Sequence, residues 1–222
     1  MRFLEKHFGK GWMALTYLFL YLPLFFMIVF SFNSTRQDAN FTGFSLRWYE
    51  ALTRDTKIVE GFWLSVKVAA VTGVLSAILG TFAAFVLVRY RRFLGRTVFS
   101  GMVNAPLVMP EVVIGLSLLL LMVGAQNAFG WPERGMLTII FGHTLLGMAY
   151  GMVVIQSRLM EMNRSIEEAA MDLGARPFQV FFLITLPNIF QGILAAFLLS
   201  FTLSFDDVVI SEFLSGPGVS TL

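Results

Sequence analysis

The chain contains no cysteine, and this absence excludes several kinds of chemistry. None of its 222 residues can form a disulfide, supply a thiolate ligand or act as a cysteine nucleophile. Only two histidines are present, so no metal site is expected. The sequence also lacks a Gly-x-x-x-x-Gly-Lys-Ser/Thr phosphate loop, a Gly-x-Ser-x-Gly turn and a His-Glu-x-x-His helix. We therefore expect neither nucleotide hydrolysis nor ester or peptide hydrolysis by this chain.

Charged residues are also scarce. They make up 14% of the chain, whereas hydrophobic residues make up 57% and aromatic residues 15%. The charges fall between apolar intervals that are long enough to cross about 30 Å of hydrocarbon at about 1.5 Å per residue. Because hydrocarbon offers the backbone no hydrogen-bond partners, we expect an all-α membrane protein, a polytopic helical bundle. The sequence predicts a single transmembrane domain, 1–222, with five spans at approximately 11–33, 64–88, 98–123, 135–157 and 188–214.

Basic residues near the first three spans indicate the orientation. One group precedes the first span, and a second group, free of acidic residues, lies between the second and third spans. They are Arg2, Lys6 and Lys10, followed by Arg89, Arg91, Arg92 and Arg96. Such residues collect on the cytoplasmic side of a membrane, so we expect the amino terminus and residues 158–187 in the cytoplasm. Membrane lipid accounts for the arginine group, and no nucleic-acid partner is expected.

Residues 158–187 form a polar loop with signals for two short helices. Ser165 and Glu168 have the spacing of a capping box, which predicts a helix start at the serine. Gly174 suits the left-handed position that follows a helix. Pro177 suits the first position of the next helix. The loop should therefore contain two helices that meet at the glycine.

The first of these helices is expected to carry an apolar stripe for a partner. Its residues recur at helical spacing, and the two alanines leave room for a close approach. The stripe consists of Ile166, Ala169, Ala170 and Leu173. Pro187, which has no N–H, predicts the boundary at which the chain re-enters the membrane. The pattern is typical of a docking loop.

This loop resembles the "EAA" loop of bacterial ABC importer permeases. In that family Glu-Ala-Ala is followed by three residues, a glycine, nine residues and then Ile-x-Leu-Pro. Here Glu-Ala-Ala stands at 168–170, the glycine is Gly174, and Ile-Thr-Leu-Pro stands at 184–187. Ser-Phe-Asp-Asp at 204–207 and Ser-Gly-Pro-Gly at 215–218 are similar to the putrescine/spermidine branch of the family.

The resemblance implies an ABC type I importer permease fold and a subunit that moves solute without being an enzyme. It implies a second permease subunit, a dimer of ATP-binding subunits and a periplasmic substrate-binding protein as partners, in the bacterial inner membrane. ATP and magnesium would belong to the ATP-binding subunits, and this chain would hold no cofactor. The residues that would couple it to the ATPase are Glu168, Ala169, Ala170, Asp172, Gly174 and Pro187.

Three acidic residues are candidates for lining the path of a polyamine, which the subunit would move by alternating access. Glu111 lies about halfway along the interval 98–123, where a carboxylate costs about 3 kcal/mol unless it faces water or a partner. Asp206 and Asp207 end the last apolar run, and no lysine or arginine follows Arg176. Each acid could instead have a structural role. The solute could also be another cation or an amino-acid-like compound, or the chain could be a membrane scaffold without transport.

Two other features have simpler interpretations. His143 in the fourth span is expected to be packed or hydrogen-bonded. Small residues in the second span should let another helix approach closely; they are Gly73, Ala77, Gly80 and Ala84. The family usually continues through a sixth helix, so we expect one to be missing after Leu222.

Overall fold

The structure, a computed structural model, describes residues 2–35, 40–90 and 92–216, and most of these are helical. The helices are α1 (Arg2–Phe30), α2 (Arg47–Arg54), α3 (Thr56–Arg89), α4 (Arg96–Val108), α5 (Glu111–Phe129), α6 (Met136–Glu161), α7 (Ser165–Asp172), α8 (Pro177–Val180), α9 (Leu186–Asn188), α10 (Phe190–Asp206) and α11 (Val209–Leu214). A π-helical turn, Phe181–Thr185, joins α8 to α9. Across the described residues, β pairing is limited to a bridge between Asn33 and Phe44. The expected all-α fold is confirmed.

Four helices are long and apolar enough to cross a membrane: Phe8–Phe30, Thr56–Arg89, Glu111–Phe129 and Met136–Glu161. A fifth crossing is possible if the pair Pro177–Asn188 and Phe190–Asp206, bent by 68°, forms one span. The chain is therefore a polytopic helical membrane protein with four or five spans among the residues described.

The chain divides into two compact units, Met1–Val59 and Glu60–Leu222. In the first unit the loop after α1 is organised around Asn33. The Asn33 side chain donates to Asn40 O at 3.0 Å and accepts from the Thr42 N–H at 2.9 Å. The Trp48 indole N–H donates to Asn33 O at 2.9 Å. These bonds connect the end of α1 to the start of α2.

The interval 98–123 is not one helix. It divides into α4 and α5, and Met109 and Pro110 separate them. Met109 is extended, at φ −86° and ψ 139°, because the proline ring disfavours helical backbone in the residue before it. Glu111 is consequently the first residue of α5, and its expected position halfway along a span is wrong.

The interval 188–214 is also interrupted. Helix α10 ends at Asp206, Asp207 is extended, and α11 begins at Val209. The short helix α11 packs against α5 and α6. Its Ile210 and Leu214 are fully buried, and they press closely against Gly142 of α6.

Helices α3, α6 and α10 form the centre of the second unit. Lipid is as apolar as a helix surface, so membrane helices associate mainly through close packing. A Cβ built on Gly80 of α3 would lie 2.9 Å from the Met152 N of α6. Gly73, Ala77, Gly80 and Ala84 are all buried. The predicted small-residue face of the second span is therefore confirmed as a helix contact.

Two apolar clusters at different positions along the helices stabilise this unit. The first cluster lies towards the carboxyl-terminal ends of α3 and α6 and contains Ala83, Ala84, Leu87, Val103, Met152, Ile155, Leu159, Ile189 and Ala196. The second cluster lies towards the start of α6 and contains Val68, Ile114, Ile139, Ile140, Leu146, Ile210 and Leu214. Helix α4 contributes to the first cluster and α5 to the second, so the break before Glu111 falls where the chain passes from one to the other.

Candidate coupling site

Helix α7 of the loop 158–187 ends in a Schellman motif at Gly174. The Gly174 N–H donates to Met171 O at 2.9 Å, and the Ala175 N–H donates to Ala170 O at 3.0 Å. Gly174 has φ +90°, a left-handed conformation that costs a residue with a Cβ about 1–2 kcal/mol. The predicted left-handed glycine between two short helices is confirmed.

The predicted capping box of α7 is wrong. Ser165 is the first helical residue, and its N–H donates to Asn163 Oδ1 at 3.0 Å. The Glu168 carboxylate lies 3.3 Å from Arg164 Nε instead of reaching back to the serine. The helix still begins at the predicted serine, but an asparagine and an arginine on its amino-terminal side take the bonds that the capping box would have made.

Pro177 is the first residue of α8, as predicted, and Pro187 stands two residues before a bend in the chain. Pro187 lies inside the short helix α9, and the chain bends at Ile189, which has φ −97° and ψ 6°. The π-helical turn precedes the proline.

The carboxylate of Glu167 joins three elements. Arg89 at the end of α3 donates from Nη2 to Glu167 Oε1 at 3.0 Å, and its Nε lies 2.8 Å from Oε2. The Thr185 hydroxyl, in the π-helical turn, donates to Oε1 at 2.6 Å. The Arg89 and Glu167 side chains are only 12% and 8% exposed. We call these residues the Arg89–Glu167–Thr185 cluster.

Sequence reasoning missed this cluster. It attributed Arg89 to membrane orientation and passed over Glu167 in favour of the neighbouring Glu168. The partners are 78 and 18 positions away from Glu167, so no local spacing connects them. The available signal was a hydroxyl residue inside the Ile-Thr-Leu-Pro segment and an arginine at the predicted end of a span.

The loop also carries large apolar side chains that are exposed. Leu173 is 90% exposed, and Phe178 and Leu183 are more than two-thirds exposed. Glu168, Ala169 and Asp172 are also exposed, whereas Ala170 is half-buried. A surface of this kind, rimmed by charges, is typical of a protein contact. Gly174 and Pro187, the remaining predicted coupling residues, are exposed as well.

The three candidate path acids occupy different environments. Glu111 is exposed at the start of α5, where the helix dipole favours a carboxylate. Asp206 is exposed at the end of α10. The Asp207 side chain is only 8% exposed, and its Oδ1 accepts from the Ile210 N–H at 2.8 Å, which caps α11.

Asp207 borders a buried polar cluster centred on His143. His143 Nδ1 lies 2.7 Å from Ser204 Oγ of α10, and Nε2 lies 3.1 Å from Ser211 Oγ of α11. Asp207 Oδ2 is 4.0 Å from His143 Nε2. The expectation of a packed, hydrogen-bonded histidine is confirmed, and the cluster connects α6, α10 and α11.

Comparisons with known proteins agree with this architecture. Residues 76–222 match a family described as "Binding-protein-dependent transport system inner membrane component". The chain is 53% identical over 211 residues to the putrescine transport system permease protein PotI of Escherichia coli strain K12, a match that covers 95% of this chain and 75% of PotI.

Two further relatives are more distant. The spermidine/putrescine transport system permease protein PotC of the same organism is 35% identical over 214 residues, covering 96% of this chain and 78% of PotC. PotC of Haemophilus influenzae is 34% identical over 213 residues, covering 96% and 80%. These relatives are permeases and not enzymes. The chain therefore belongs to the inner-membrane components of binding-protein-dependent transport systems, as a multi-pass permease subunit of an importer.

Proposed function

We propose that this subunit imports polyamines, with putrescine as the first candidate and spermidine as the second. The observation that carries the proposal is the identity of 53% with a protein named for putrescine transport, over nearly the whole chain. The exposed carboxylates of Glu111 and Asp206 supply charge of the sign that a polycation requires. Asp207 would lie beside this path, and its carboxylate also accepts from the Ile210 N–H of α11.

The proposed complex contains a second permease subunit, two ATP-binding subunits that hold ATP and magnesium, and a periplasmic substrate-binding protein. The amino terminus and the coupling loop, residues 158–187, face the cytoplasm. The exposed apolar surface around Leu173 and Phe178 supports docking of the loop on an ATP-binding subunit. Glu168 and Asp172 would contribute charged contacts at its rim.

In this scheme transport proceeds by alternating access. Closure of the ATP-binding subunits moves the coupling loop, and the spans attached to it change the side to which the path opens. Gly174 sets the angle between α7 and α8, while Ala169 and Ala170 allow close approach of the partner. Pro187 belongs to the bent segment that connects the loop to α10.

Uptake by intact cells tests the substrate. The chain is expressed with the other subunits of its system in a bacterial host that lacks its own polyamine importers, and uptake of labelled putrescine is measured against unlabelled competitors. We expect putrescine and spermidine to compete, and arginine, lysine and neutral amino acids to have little effect. Uptake of a cationic amino acid without uptake of either polyamine would contradict the proposal.

A further inference from the structure

Two adjacent glutamates of α7 differ in exposure and in their partners. The Glu168 side chain is 57% exposed, and it forms an ion pair with Arg164, four residues earlier and also exposed. The Glu167 side chain is 8% exposed and is bound by residues of two other elements. Only Glu168 is therefore available to a docking partner, and Glu167 must act within the subunit.

The contacts of Glu167 determine what it can do. Ion pairs on a protein surface contribute little, whereas a buried charge that loses its partner is strongly unfavourable. Two guanidinium nitrogens of Arg89 and the Thr185 hydroxyl all lie within 3.0 Å of this carboxylate. The cluster therefore opposes any separation of α7 from the end of α3 or from the π-helical turn.

We propose that Glu167 is a positioning residue that makes α7, the end of α3 and the π-helical turn move as one body during the transport cycle. Force applied at the exposed surface of the loop then reaches α3 through Arg89, in addition to reaching α10 through the backbone beyond Thr185. This inference rests on the proposed coupling role of the loop. It gives the span α3, which is distant from the loop in sequence, a direct mechanical connection to it.

A covalent replacement of the ion pair tests the inference. Because the chain has no cysteine, the double variant Arg89→Cys/Glu167→Cys introduces a single reactive pair, which a short bis-maleimide can link. The assembled complex is reconstituted into vesicles, and solute transported per ATP hydrolysed is measured with and without the linker. We expect the unlinked variant to lose about tenfold in this ratio while it still hydrolyses ATP, because contacting charged groups couple strongly.

Linking the two cysteines should restore the solute transported per ATP to within about twofold of the parent value. A difference of that size is within the scatter expected for substitutions that do not interact. A covalent bond between elements that move together leaves the cycle intact, whereas a bond between elements that must separate blocks it. An unlinked variant with the parent ratio, or a linked variant that is inactive, would overturn the inference. The control is Glu50→Cys/Arg54→Cys, which removes an exposed ion pair of α2, 3.9 Å apart and outside the coupling loop, and should change neither ATP hydrolysis nor the solute transported per ATP.

The charge-swapped variant Arg89→Glu/Glu167→Arg decides the matter if the cysteine variant does not assemble. It retains an ion pair and should transport solute, whereas neither single substitution should. A charge-swapped chain that does not transport solute overturns the inference. Failure of the polyamine proposal is distinguishable, because the parent complex would then hydrolyse ATP without polyamine uptake before any residue of the cluster is changed.

Discussion

His143 and Ser204 connect α6 and α10, two helices that pack closely against each other in the second unit. The imidazole Nδ1 lies 2.7 Å from the serine Oγ, although the residues are 61 positions apart. Both side chains are buried, and the second ring nitrogen is occupied by Ser211 of α11. A single side chain therefore satisfies hydroxyl groups from two other helices.

Replacement of this histidine should destabilise the subunit. In His143→Leu the hydroxyls of Ser204 and Ser211 lose a partner in a buried environment, at a cost of about 1–3 kcal/mol. We expect lower thermal stability of the purified subunit in detergent, with membrane insertion preserved. Thr202→Val, which removes an exposed bond to its own helix, is the control and should change stability little. Equal stability of His143→Leu and the parent would contradict the structural role.

Gly80 should be intolerant of substitution. In Gly80→Ala the new Cβ would lie 2.9 Å from Met152 N and 3.2 Å from Gly151 C. These are backbone atoms and cannot turn aside, so α3 and α6 must separate at a cost of about 1–3 kcal/mol. Thermal unfolding of the purified subunit measures the change.

Gly101→Ala provides the matched comparison within a helix. A Cβ added at Gly101 would meet no described atom beyond its own helix within 4 Å. Alanine there should be neutral or should stabilise by about 0.5–1 kcal/mol, because glycine loses more backbone entropy in a helix. If both substitutions have the same effect, the close approach at Gly80 is not what fixes the two helices.

Gly174→Val should separate ATP hydrolysis from transport. The position has φ +90° and open space around it, so the penalty of about 1–2 kcal/mol comes from the backbone and not from a clash. The variant should insert and assemble, hydrolyse ATP and transport poorly. Gly174→Asn should retain most transport, because asparagine tolerates the left-handed region. Transport at the parent rate by the valine variant would show that the glycine conformation is unimportant.

Two exposed arginines test the orientation. Arg54 in α2 and Arg176 before α8 are both exposed, and our topology places them on opposite sides of the membrane. In separate single variants, Arg54→Cys should react with an impermeant maleimide in intact cells and Arg176→Cys should react only after permeabilisation. The opposite result would invert the orientation and place the loop away from the ATP-binding subunits.

The two neighbouring aspartates should behave differently. Asp206→Asn should lower the apparent affinity for putrescine by about tenfold, with an effect that weakens at high ionic strength, and should leave stability unchanged. Asp207→Asn should also lower thermal stability, because its carboxylate caps α11 beside a buried histidine. Glu133→Gln, at an exposed acid outside the proposed path, is the control. Unchanged putrescine kinetics in Asp206→Asn would remove that residue from the path.

The parts of this structure that sequence reasoning predicted depend on local chemistry. The length of the apolar intervals predicted membrane-spanning helices. The position of Gly174 between two short helices predicted its left-handed conformation, and Pro177 predicted the start of α8. Apolar composition continues through the break before Glu111, whereas Pro110 indicates a bend there because its ring keeps Met109 out of the helical region. The partners of Glu167 and His143 depend on how distant helices pack, which one sequence does not encode in any local spacing.

The central claim is that this subunit couples ATP hydrolysis to polyamine import, and reconstitution tests it most directly. The complete complex is placed in vesicles with ATP enclosed on the side of the ATP-binding subunits, and accumulation of labelled putrescine is followed in the presence of the substrate-binding protein. We predict accumulation against a gradient that requires hydrolysable ATP and is strongly reduced in Gly174→Val. Accumulation without ATP hydrolysis, or ATP hydrolysis in the parent complex with no movement of either polyamine, would contradict the account.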